Sequence, residues 1–265
     1  MTDIQTIGQA ALGVLSAADP AAKVAAALAA AADWRADKLL MDEAPLPVPD
    51  RPARPTRPEL RDPGAMPKRS ARGAAGRFAM LHAIAHIEFN AIDLAWDMVA
   101  RFGPEVAERA FIDDWVRVGG EEATHFALVQ RRLKALHADY GDLPAHDGLW
   151  QAATDTADSV LARLAIVPLV LEARGLDVNP QMAAKFREGG DEESAAALDI
   201  ILRDEVGHVA VGMRWFSALC AKSDQDPLST FHALVAERFR GALKPPFNEA
   251  AREQAGLLRP FYHNP

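Results

Sequence analysis

The sequence predicts an all-α protein built on a four-helix bundle, with an N-terminal helical extension, a Pro-rich strap and extra C-terminal helices. Three observations lead there. No stretch of the 265 residues alternates polar and apolar at period two, whereas most of the chain after residue 72 repeats at helical spacing. Two acid-Glu-x-x-His sequences occur, Glu121-Glu122-Ala123-Thr124-His125 and Asp204-Glu205-Val206-Gly207-His208. Each comes after a lone glutamate in an apolar helical run: Glu88 stands 34 residues before Glu122, and Glu172 stands 33 before Glu205.

In chain order, residues 4–15 and 20–42 read as helices. Asp19 is the N-cap of the second and Pro20 its first residue. Leu28, Trp34, Leu39 and Leu40 give it an apolar face for docking. Eight prolines between Pro45 and Pro67 exclude helix and central strand, which leaves an extended linker or surface strap. Helix one runs from near Gly76 to Arg101. Its apolar stripe of Leu81, Ile84, Ala85, Ile92, Ala95 and Val99 is broken by Glu88, and His82, His86, Asn90, Asp93 and Asp97 lie on another side. Helix two spans about Pro104 to His137, and the turn-rich residues 139–150 form a crossover. Helix three covers Trp150 to Gly175, with a kink expected at Pro168 and a break at Asp177–Pro180. Helix four runs from Glu192 to Cys220, a fifth from Pro227 to Leu243, and a short tail helix ends before Pro260. The domain reading is 1–44 extension, 45–70 strap and 71–265 bundle.

Composition narrows the function. At 49% hydrophobic and 25% charged residues the chain supports a sizeable core. A net charge of -8 disfavours bulk phosphate-backbone binding. The single cysteine, Cys220, excludes an internal disulfide and reads as a buried thiol. The N-terminus lacks a basic segment followed by a long apolar core, and the Ala-rich run near 21–32 is too short to span a bilayer, so a cytoplasmic protein without membrane partners is expected.

Residues i and i+3 of a helix share a face, so Glu122 with His125, and Glu205 with His208, can each offer an oxygen and a nitrogen to one point. One such pair is common by chance. Two pairs, each with a lone glutamate that would be costly on an apolar face unless paired or metal-bound, form the ligand set of a carboxylate-bridged dimetal bundle: Glu88, Glu122, His125, Glu172, Glu205 and His208. Hard oxygens with two imidazoles suit two divalent ions, iron or else manganese, and the lack of Cys ligands argues against structural zinc. Metal-bound histidine usually donates its other ring N–H to a carboxylate, so Asp204 is expected to reach His125 and Glu121 to reach His208. Glu88 with Asp93 matches Glu172 with Asp177, which makes residues 77–137 and 150–220 a weak repeat.

These six residues resemble the ligands of the ferritin-like diiron-carboxylate superfamily. More narrowly, the chain resembles the DUF455 family of ferritin-like proteins over about residues 70–250. The resemblance is carried by Leu81–Glu88, Glu121–Phe126, Tyr140–Trp150, Leu171–Asp177 and Asp204–Val209. It implies the ferritin-like fold and the metal site without supplying a reaction. A more distant similarity is to tRNA-modifying diiron hydroxylases, which share the ligand pattern but not the connecting motifs; it implies a tRNA-type substrate as the one exception to an otherwise unexpected nucleic-acid partner.

Three functions are consistent with these readings. The first is an O2-dependent oxidoreductase, a hydroxylase or oxidase of a small or nucleotide-like substrate, drawing electrons from an external donor. The second is a ferroxidase or iron-handling protein, disfavoured by the long extension. The third is a bundle that metals merely hold together. The oligomeric state is open. His82 and His86 are read as residues for interhelical hydrogen bonding or for orienting the ligands, His146 as a turn contact ahead of an entrance-lining role, Arg174 as a partner of Asp177 or of another acid near the site, and Trp115, Trp150 and Trp215 as packing residues.

Overall fold

The computed structural model describes residues 5–62, 65–66 and 73–263, and it is helical almost throughout, as the sequence predicts. The readings of the extreme N-terminus, of Pro63 and Pro67, and of the helix start at residue 72 fall outside the described residues. Among the described residues no helix is long and apolar enough to cross a membrane. The chain divides into two units, Met1–Trp150 and Gln151–Pro265.

In the first unit, α1 (Ile7–Ser16) and α2 (Pro20–Arg35) precede the strap. The Asp19 carboxylate accepts the Ala22 N–H at 2.8 Å, which confirms the cap. Helix α2 is shorter than the expected 20–42, because Asp37 takes a left-handed φ of 54°. The expected docking face is half right. Trp34 and Leu39 are buried, but Leu28 and Leu40 are 41% and 54% exposed. Ala27, Ala30 and Ala31 supply the buried face instead, and Ala31 packs where Gly120 has no side chain.

The strap is extended and fastened to this unit. Ala53 N–H donates to Leu15 O at 2.7 Å, Trp150 Nε1–H to Asp50 O at 2.9 Å, and Arg101 to Pro49 O at 3.1 Å. It ends in β1 (Leu60–Arg61), which pairs in parallel with β2 (Ala145–His146) in the crossover.

Helix α3 (Gly73–Asp97) is buried on nearly every side from Leu81 onward, passes into a π-helical turn, Met98–Phe102, and ends in α4 (Gly103–Val106). Ala107, at φ 53°, breaks the chain, so α5 starts at Arg109 rather than Pro104 and runs to Ala135. Helices α3 and α5 pack along each other, and α2 lies on α5.

Helix α6 (Gly148–Asp155) leads into the second unit, where Ser159 caps α7 (Val160–Ile166). The kink expected at Pro168 is a π turn, Val167–Glu172: the Ala173 N–H reaches back five residues to Pro168 O. Proline has no N–H for the α-helical ladder, and the wider turn accommodates that loss. Helix α8 (Ala173–Glu188) then continues past Pro180, so the break expected at Asp177–Pro180 is absent. The Leu176 carbonyl, which residue 180 would ordinarily bond, accepts from the Asn248 side chain at 3.1 Å. Helix α9 (Glu192–Lys222) packs along α8, followed by α10 (Pro227–Arg238), α11 (Glu249–Gln254) and an unexpected last turn, α12 (Arg259–Tyr262).

Gly212 of α9 faces the Pro168 ring, and a Cβ there would lie 2.5 Å from Pro168 Cβ. Gly212→Ala gains roughly 1 kcal/mol of helix propensity, but overpacking against a rigid ring costs about 1–3 kcal/mol. A net loss of up to about 2 kcal/mol in urea unfolding is expected, and a higher midpoint would show that the contact yields.

Candidate metal centre

Helices α3 and α5 bring Glu88, Glu122 and His125 together. All three are buried, and each offers one ligand atom within 4.8 Å of the others. His125 Nδ1 lies 3.4 Å from Glu88 Oε2 and 3.5 Å from Glu122 Oε2. These separations exceed the roughly 2.9 Å of a well-made N–H···O bond. They are close to what two donors about 2.1 Å from one ion would show. Burial alone would push the His125 imidazole down, but hydrogen bonding and charge from Glu122 and Glu88 outweigh it and raise its pKa to about 11. Two carboxylates beside one imidazole make a donor set that suits a buried cation. Metal entering there would release the imidazole proton. The donor set therefore fits a divalent ion.

The second unit repeats half of this arrangement on one helix. Glu205 and His208 of α9 are buried, with His208 Nδ1 3.7 Å from Glu205 Oε2. Both histidines thus turn Nδ1 toward the glutamate three residues earlier. Glu172 is the last residue of the π turn, half-buried, on the segment that packs on α9. Of the two acids expected to orient the histidines, Glu121 accepts from Arg117 at 2.8 Å and Asp204 from Arg203 at 2.9 Å.

The polar side of α3 has separate tasks. His82 Nε2 accepts the Gly141 and Leu143 N–H groups at 3.0 and 3.3 Å, which fixes it as an acceptor. His86 bonds Tyr140 Oη through Nδ1 and His146 O through Nε2, both at 2.9 Å. The carbonyl requires Nε2 to carry the proton, so Tyr140 donates to Nδ1. Burial lowers the His86 pKa to about 4 and keeps the ring neutral. Both histidines hydrogen-bond as expected, with the crossover as partner rather than another helix. His146 makes the expected turn contact, accepting the Gly148 N–H at 3.2 Å. Trp115, Trp150 and Trp215 are buried packing residues, and burial raises the pKa of the Cys220 thiol.

The family model described as "Protein of unknown function (DUF455)" matches residues 16–263. The chain belongs to the DUF455 family. An uncharacterized protein of Haemophilus influenzae is 46% identical over 210 residues, covering 77% of this chain and 73% of its own length. No solved structure matches.

Sequence reasoning missed three cations of this DUF455 chain. Lys23 of α2 is fully buried and donates to Asp93 at 2.5 Å and to Val14 O at 3.0 Å. Arg54 of the strap lies 3.2 Å from the same carboxylate and donates to Asn90 Oδ1 at 2.7 Å. Arg252 of α11 forks onto both oxygens of Asp177, at 2.9 and 2.7 Å. Arg174, whose pairing with Asp177 was expected, reaches it at 3.3 Å. The signal that could have found them was the recurrence of an aspartate five residues after each lone glutamate, at Asp93 and Asp177.

Proposed function

We propose that this DUF455 chain is a ferritin-like dimetal carboxylate protein, with iron as the preferred metal and manganese as the alternative, and that it acts as an O2-dependent oxidoreductase on a small molecule. The ligands are Glu88, Glu122 and His125 from the first half and Glu172, Glu205 and His208 from the second. The observation that supports this reading most is the buried Glu88–Glu122–His125 trio. Its half-repeat at Glu205 and His208 supports it further.

Bound iron would supply the two-electron reduction of dioxygen. The chain's own residues do the rest. Glu88 and Glu122 provide negative charge in a water-poor setting, where its attraction for a cation is strong. His125 exchanges its proton for the ion. The π turn sets the direction of Glu172. Glu121 and Asp204, each one position before a ligand glutamate, are assigned to the far ring N–H groups of His208 and His125. An external donor returns the electrons.

The deciding measurement is metal content on protein purified without chelator, followed by anaerobic ferrous loading and exposure to oxygen. Two irons per chain, with a transient visible absorbance on oxygen addition, is the expected result. Oxidised iron accumulating beyond two per chain would favour iron handling. Tightly held metal with no oxygen reactivity would leave a structural role only.

A further inference from the structure

Each half presses an arginine, half-buried at Arg54 and buried at Arg252, from a segment outside the paired long helices onto the helix that carries its lone glutamate. In the first, Arg54 contacts residues directly after Glu88. It donates to Asn90, lies against Asp93 and sits 5.4 Å from the centre of the Phe89 ring. In the second, Arg252 contacts residues directly after Glu172. It forks onto Asp177 and donates to Ala173 O at 3.2 Å. Both guanidiniums are roofed by aromatic rings of their own unit, Arg54 by Trp150 at 5.8 Å and Arg252 by Phe247 and Tyr262 at 5.0 and 4.6 Å. The aspartate is the fifth residue after the glutamate in both cases. The arginines come from segments with no sequence likeness, the Pro-rich strap and the C-terminal tail, so the same contact is made by two unrelated routes.

A charged side chain buried among apolar groups is costly without a partner. The pairing therefore fixes two things at once: the rotation of the glutamate-bearing helix, and the docking of the outer segment. We propose that Arg54 and Arg252 are positioning residues for Glu88 and Glu172, and that metal occupancy and docking of the strap and tail are thermodynamically linked through them. The proposal rests on the dimetal reading. Linkage is reciprocal: if a docked strap favours the metal-ready glutamate, metal tightens the strap. Arginine suits the task because its planar fork bonds a carboxylate and a second acceptor while stacking on rings, which lysine cannot reproduce.

The test uses the full chain, freed of metal, with Mn2+ as the probe. Mn2+ affinity is read by equilibrium dialysis, and hydrogen–deuterium exchange is followed in segments 46–61 and 244–257. In the wild type, Mn2+ is expected to slow exchange in both segments. Arg54→Gln should weaken Mn2+ about tenfold, in line with the effect of residues that orient ligands, and should make strap exchange fast and independent of Mn2+. Arg54→Lys should recover part of the affinity. If the glutamine variant fails to fold, the lysine variant carries the test, with an affinity between wild type and a tenfold loss. Arg252→Gln should do the same to the tail while leaving the strap's response intact. Arg51→Gln, which removes only a surface pair with Asp147, should change neither. A folded Arg54→Gln or Arg54→Lys with wild-type affinity, or Mn2+ binding that leaves exchange unchanged, overturns the linkage alone. Failure of the wild type to bind Mn2+ or Fe2+ would instead overturn the dimetal reading beneath it.

Discussion

Glu122→Ala abolishes metal loading and leaves the fold standing; that is the largest effect expected at the candidate centre. Glu122 is fully buried, and its Oε2 lies 3.5 Å from His125 Nδ1. Its loss removes a proposed carboxylate ligand and much of the negative charge that would attract a cation. In the metal-free chain the same change is milder, because Glu88 remains 3.4 Å from the imidazole and pairs with it one to one. The contrast separates a ligand from a merely structural acid. Metal content by mass spectrometry should fall from two ions per chain to none, while the far-UV spectrum stays helical. A Glu122→Ala chain that still holds two ions would sink the ligand assignment. Glu122→Gln, which keeps the volume but not the charge, should behave like the alanine variant in metal content and closer to wild type in stability.

Asp177→Ala is expected to cost about 3–5 kcal/mol, the range for breaking a buried ion pair and stranding one partner. Arg252 is 3% exposed, and two of its three guanidinium bonds end on this carboxylate, the third on Ala173 O; the carboxylate also accepts the Asn248 N–H at 2.9 Å. The double variant Asp177→Ala with Arg252→Met should regain most of the loss, since it removes the stranded charge as well. Urea unfolding of the two singles and the double gives the coupling directly. The exposed Arg187–Asp199 pair on the same unit should contribute less than about 1 kcal/mol. A loss that small at Asp177 would mean that Arg252 is solvated without it.

The parts of this molecule that obey local rules were legible. The Asp19-Pro20 start, the spacing of Glu122 from His125 and of Glu205 from His208, and the isolation of Glu88 all express short-range helical geometry. The parts that depend on distant partners were not. Pro180 reads as a helix stop because proline leaves a carbonyl unbonded. Asn248, far along the chain, satisfies that carbonyl, so the helix continues. Nothing in the alanine-rich run around Lys23 marks it as buried. Only the fold shows that Asp93, 70 residues later, is its partner. Leu28 and Leu40 looked like anchors, yet the alanines between them pack because small side chains let α2 approach α5 closely. Histidines 82 and 86 could be assigned to hydrogen bonding from sequence, but their partners lie in a loop whose path no periodicity reveals.

The π turn that ends in Glu172 has a consequence for how this gene can change in length. A π turn is an α-helix carrying a surplus residue. Losing one residue between Val167 and Glu172 would restore a regular helix, but it would rotate the helix beyond the turn by about 100° relative to the helix before it. Pro168 could then no longer face Gly212 while Asp177 faces Arg252, for those contacts lie on opposite sides of the surplus residue. Substitutions of like shape are tolerable in this stretch, whereas insertions and deletions are not. The distance in residues from Pro168 to Asp177 is thus as much a part of the site as the glutamate between them.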